Sequence, residues 1–143
     1  MLHFVYRALS SAVLVAAALS SFQVDAQTYP DKPITIVVPF AAGSGTDQQA
    51  RSMAQALTTE YKVPVIVENR AGASGFLAAQ YVAKATPDGY TMLMTTNTTH
   101  AANEHLFKKL PYDPVKDFTP VTLLSKGHML LVVNPSSPIK SVG

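Results

Sequence analysis

The chain has 143 residues, 11 of them Lys or Arg and 9 Asp or Glu, for a formal net charge of +2, and it contains no cysteine. So small a balance, with the basic residues scattered rather than striped, argues against a nucleic-acid footprint. The absent thiols exclude a disulfide framework and a thiolate metal site, and the length suits one modest domain with its own core.

The first 26 residues read as a secretory leader. Arg7 supplies the positive start, Ala8 to Leu19 is apolar apart from Ser10 and Ser11, and Val24-Asp25-Ala26 offers a cleavage site before Gln27. The apolar run is shorter than the roughly 20 residues that a membrane span needs, which favours cleavage over an uncleaved anchor. No later segment is apolar over a spanning length.

Pro30 and Pro33 then lead into a β-branched run, Ile34–Val38, which predicts a strand. Pro39 to Gly45 turns the chain. Ala50, Met53, Ala54, Leu57 and Tyr61 recur as one stripe of an amphipathic helix, for which Thr46 and Gln49 form a T-x-x-Q capping box, with Asp47 in the first turn. Val65–Val67 predicts a second strand, Asn69 to Gly75 a second glycine-rich turn, and Phe76 to Ala85 a helix with Leu77, Tyr81 and Val82 on one face. A turn at Thr86–Gly89 precedes a third strand, Tyr90–Thr95, then the polar run Thr96 to His100 and a short helix over Ala101 to Lys108. After the connector Leu110 to Pro114, Phe118–Leu124 and Met129–Val133 read as two further strands.

Three βα units in succession imply a parallel sheet with right-handed crossovers, in which ligands bind at the carboxyl ends of the strands. The stretch Val38 to Asp47 is the most telling part of that edge. A strand, a glycine turn and a helix start leave backbone amides unpaired before a positive dipole, a small cradle for a carboxylate or phosphate. By itself the same stretch equally suits a plain βα turn that uses glycine for its positive φ. The loop after the third strand lies at the same expected edge and is also rich in small hydrogen-bonding residues, which favours the cradle. Asp47 stands apart: it either stabilises the helix start, by about 0.3–1 kcal/mol, or receives an ammonium group, and the first role is the ordinary one.

Enzyme signatures are missing. Gln48 replaces the third glycine of a dinucleotide fingerprint, Gly-Thr-Asp replaces the Gly-Lys-Ser/Thr of a P-loop, and the G-x-S-x-G of a nucleophile elbow is not satisfied around Ser74. His100 and His105 are five apart and do not share a helix face as zinc ligands would. No cofactor or metal is expected.

Four blocks in order carry a resemblance: Tyr29 to Ile34 with Val37 to Asp47, Val65 to Gly75, Ala85 to Leu93, and Leu110 to Phe118. Together they resemble the solute receptors of the tripartite tricarboxylate transporter class, also called Bug-type extracytoplasmic receptors. The resemblance implies an α/β periplasmic-binding-protein-like fold, with two lobes joined by crossing strands and a small carboxylate between them, held through main-chain and water-mediated contacts. It points to Phe40, Ala41, Ala42, Gly43, Ser44, Gly45, Thr46 and Asp47 after the first strand, and to Thr96, Asn97, Thr98, Thr99 and His100 after the third. The carboxylate could be a tricarboxylate, a dicarboxylate, an amino acid or an aromatic acid. The implied protein is periplasmic, performs no chemistry, and delivers its ligand to the permease subunits of a tripartite membrane transporter.

Family members are about twice this length, and their loops often carry Pro and Gly where this chain has Ala42 and Ser44. The expected organisation is therefore a leader over 1–26, a parallel-sheet N-terminal α/β lobe over 27–117, and a crossing strand with the start of an incomplete second lobe over 118–143. The alternative functions are a truncated, non-binding fragment of such a receptor and, more remotely, a small secreted hydrolase. A half cleft should bind weakly, and an unpaired apolar strand should favour association.

Overall fold

In a computed structural model, residues 28–127, 130–139 and 141 are described. The expected leader and its cut after Ala26 lie outside them. Strand β1 (Ile34–Val38) is the middle of a three-stranded parallel sheet of order β2-β1-β3, with β2 at Val65–Asn69 and β3 at Thr91–Leu93. Ile34 to Val38 pair in register with Val65 to Asn69, and Thr35 to Val37 with Thr91 to Leu93. Pairing outlasts β3 at both ends, because Thr35 N donates to Tyr90 O and Met94 N to Val37 O. This supports the longer strand expected from the sequence while restricting its regular part.

Helix α1 (Gly45–Tyr61) joins β1 to β2, and α2 (Phe76–Ala83) joins β2 to β3. The two crossovers run in opposite directions across the sheet, so right-handedness places the helices on opposite faces. Ile36 and Val38 form the core with Ala50, Ala54 and Met94, and Phe40, Met53, Val65 and Val67 pack around it. Val37 is buried too, so the central strand is covered on both faces, as its unbroken β-branched run requires.

Several expectations are corrected. The cap of α1 is Ser44, not Thr46: Ser44 is extended (φ −64°, ψ 160°) and its hydroxyl accepts from Asp47 N. The helix thus starts one residue before Thr46, at Gly45. Helix α2 ends at Ala83 and buries Ala78 and Ala79, whereas Leu77 and Tyr81 are exposed. Two alanines permit a close approach to the sheet, and Tyr81 instead carries the Arg70 guanidinium 3.5 Å above its ring. The segment after β3 opens as a wide π-helical turn (Thr98–Ala102) and closes as α3 (Asn103–Leu106).

Neither expected C-terminal strand forms among the described residues. Phe118–Leu124 and the described part of Met129–Val133 make no sheet pairing, and Val121 and Leu130 are 83% and 84% exposed. An apolar β-branched run becomes strand only where a neighbouring backbone supplies its ladder, and neither edge of the sheet takes these residues. The crossing strand expected at the start of 118–143 is therefore unpaired among the described residues. No helix among them is long and apolar enough to cross a membrane.

Candidate functional site

A sheet of order 2-1-3 has its topological switch between β1 and β3, where the outgoing connections diverge and leave a crevice at the carboxyl edge. The turns after β1 and β3 flank that crevice. Structure and sequence agree on this placement of 40–47 and 96–100.

The first turn is held from beneath. Asp47 is 2% exposed. Its Oδ2 accepts from Gly43 N at 2.8 Å and Arg51 Nε at 3.0 Å, and its Oδ1 from Asn69 Nδ2 at 2.9 Å. Asn69 Nδ2 also donates to Phe40 O, and Arg51 Nη2 to Asn69 Oδ1. Hydrogen bonds from Arg51, then Gly43 and Asn69, hold the Asp47 carboxyl at about 2, below the usual carboxylate range. Its oxygens are taken by three donors of its own chain, so it braces the turn from inside. Ser44 O takes the Gln48 amide and the Ser44 hydroxyl takes that of Asp47. The Gly45 and Thr46 amides have no acceptor among the described residues. Ala41, Ala42, Gly43 and Gly45 are exposed, and Phe40, Ser44 and Thr46 half-buried.

The turn after β3 is a hydroxyl array. Thr95 and Thr99 share a hydrogen bond at 3.0 Å, Thr96 donates to the Thr98 hydroxyl at 3.1 Å, and Thr99 shares a 2.8 Å bond with His100 Nδ1. Thr99 is buried, whereas Thr96 and Asn97 are exposed. Burial pushes the His100 imidazole below its ordinary pKa, and its ring meets Phe118 edge-on at 4.6 Å.

A third turn enters the site that the sequence reading did not include. Gly72, Ala73, Ser74 and Gly75 all have positive φ (122°, 46°, 54° and 85°). Gly75 is pressed between the other two turns: a Cβ there would lie 2.7 Å from Thr99 Cγ2 and 3.3 Å from Pro39 Cβ. The clustered glycines signalled a turn, but this contact depends on tertiary placement. An open depression of about 650 Å³ continues from Gly45 along α1, between Gln48, Gln49, Ser52 and Met53 on one side and Leu124 and Ser125 on the other. Among the described residues no group of three His, Cys, Asp or Glu side chains could hold a metal ion. The arrangement can accept an anion through amides and hydroxyls.

A sequence profile described as the tripartite tricarboxylate transporter family receptor matches residues 49–143. Protein BugT of Bordetella pertussis is 36% identical over 131 residues, covering 91% of this chain and 40% of that protein. A UPF0065 protein of Agrobacterium vitis is 42% identical over 124 residues, covering 85% and 35%. Among solved structures, MatC from Rhodopseudomonas palustris with bound malate is 47% identical, with a TM-score of 0.64 over 67% of this chain and 33% of that one. Another R. palustris protein, with adipate, is 44% identical, with a TM-score of 0.63 over 65% and 31%. The chain spans about two-fifths of the length of BugT.

Proposed function

Since the chain belongs to the tripartite tricarboxylate transporter receptor family, we propose that it supplies the first lobe of a periplasmic receptor for a small carboxylate and presents that ligand to a membrane permease. One observation carries the reading: the Gly45 and Thr46 amides, unpaired among the described residues at the start of a 17-residue helix, belong to the turn after β1, and the Thr96 and Thr98 hydroxyls to the turn after β3, both at the carboxyl edge of the sheet. Amides backed by a helix dipole suit a carboxylate without needing a basic side chain. Water bridges complete such contacts at little cost in strength. The malate and adipate named for the two R. palustris relatives make a dicarboxylate the first class to test.

Ligand contacts come from Phe40 to Thr46 and Thr96 to His100, with Asp47 ordering the first group. Residues 1–26 act as the leader that takes the chain to the periplasm, and mass spectrometry of periplasmic extract should find a chain beginning at Gln27. A chain retaining Met1 in the cytoplasm would refute that part. For binding, the chain is titrated with malate, adipate, citrate and glutamate while backbone amide resonances are followed. Saturable shifts at Gly45, Thr46, Thr98 and Thr99 are expected. Absence of shifts at these four amides at millimolar ligand sinks the reading and favours the non-binding fragment, which the unpaired, exposed 121–124 and 130–133 runs also favour.

A further inference from the structure

Two buried polar side chains lie behind the turns of the site. Asn103, at the start of α3, is 0% exposed, and Tyr112, in the following connector, is 6% exposed. The Tyr112 hydroxyl donates to Thr99 O at 2.7 Å. Asn103 Nδ2 donates both to the Tyr112 oxygen at 3.2 Å and to Ser74 O at 2.9 Å. Ser74 belongs to the turn after β2 and Thr99 to the turn after β3. No ladder joins those turns, because β1 lies between their strands.

The bonded groups make the connection specific. Ser74 holds φ 54°, ψ 30°, a left-handed conformation that a non-glycine residue adopts only when its surroundings impose it. Its carbonyl is held by Asn103. Gly75, the next residue, fits against Thr99 with no room for a side chain. Asn103 Oδ1 is buried without a hydrogen-bond partner among the described residues. An apolar side chain would avoid that unsatisfied acceptor, but it could not bridge the two carbonyl systems. Aromatic rings fix Tyr112 from two sides, Phe76 at 6.0 Å and Phe118 at 5.9 Å.

We infer that Asn103 and Tyr112 are a positioning pair that sets the spacing between the turns after β2 and β3 and, through Thr99, the threonine array offered to the ligand. The consequence for ligand affinity rests on the receptor reading above; the coupling of the two turns does not.

Tyr112→Phe removes one oxygen and keeps the ring contacts, so it tests the pair with little risk to folding. Two readouts are compared with the unaltered chain: backbone amide shifts with hydrogen exchange, and titration with malate and adipate. The expected result is displaced resonances at both Ser74–Gly75 and Thr99–His100 and faster exchange at the Gly75 amide, which bonds Gly72 O. The Phe107 amide, bonded to Asn103 O within α3, should exchange as before. Loss of the two buried hydrogen bonds made by the Tyr112 hydroxyl should weaken dicarboxylate binding about three- to tenfold. Asn103→Leu should displace the same two groups of resonances. Displacements confined to 107–118, with Ser74 and Gly75 unmoved, overturn the inference. So does unchanged affinity in Tyr112→Phe. If the unaltered chain binds neither acid, the receptor reading falls, while the resonance comparison still decides the pair.

Discussion

The two edges of the sheet use similar bonds in opposite settings. At the amino edge, Tyr29 donates to Gly89 O at 2.8 Å, Lys32 pairs with Asp88 at 2.9 Å, and the Tyr90 hydroxyl bonds Asp31. Tyr29 is half exposed, as is the Lys32 side chain. At the carboxyl edge, Asp47, Thr99, Asn103 and Tyr112 are all buried. Water competes freely for the first set and not for the second, so only the second can fix a geometry against thermal motion. Burial, rather than the number of bonds, separates an edge that fastens the chain from an edge that shapes a site.

The sharpest way to break that contrast is at Gly75. Gly75→Ala combines a positive φ with a 2.7 Å clash against Thr99 Cγ2, and should cost about 2–4 kcal/mol in urea unfolding. A loss below half a kcal/mol would mean that the three turns are not tightly joined. Acid comes next. Asp47 titrates lower in the folded than in the unfolded chain, so its stabilisation is complete above the ordinary carboxylate range and is lost as pH falls through about 2. Asp47→Asn should flatten that part of the stability–pH curve; an unchanged acid limb would show that the brace is not ionic. Ser44→Ala removes the α1 cap and should cost about 1 kcal/mol by thermal unfolding. A neutral result would hand the cap back to Thr46. Finally, Lys32→Ala should leave the unfolding midpoint unchanged, since its partner Asp88 is also solvent-accessible. A clear drop would show that the amino edge is more than a fastening.

The order of elements was legible in the sequence because its signals are local. The Ile34–Val38 run, the stripe from Ala50 and the glycine turns each act within a few residues. The family resemblance rested on those same blocks, and the profile match supports it. What stayed hidden is tertiary. Ser44 and Thr46 are both capping types with a suitable residue three positions on; the structure selects Ser44, where Asp47 also meets Asn69 and Arg51, the former 22 residues away. Ala78 and Ala79 outrank Leu77 at the α2 interface because close approach favours small side chains there. Asn103 and Tyr112 carried no periodic signal, and Phe118–Leu124 carried a strand signal without a partner.

The wide turn Thr98–Ala102 has a consequence for chain length. The Asn103 amide reaches Thr98 O, five residues back instead of four. An ordinary α-helical turn reaches back four residues, so this turn holds one residue more than one turn of α-helix needs. The extra residue is taken up inside the turn, and Asn103 still stands one turn beyond Thr98, within reach of Ser74 O. The turn stores length: a chain shortened by one residue within 98–102 should close as α-helix with Asn103 still in place.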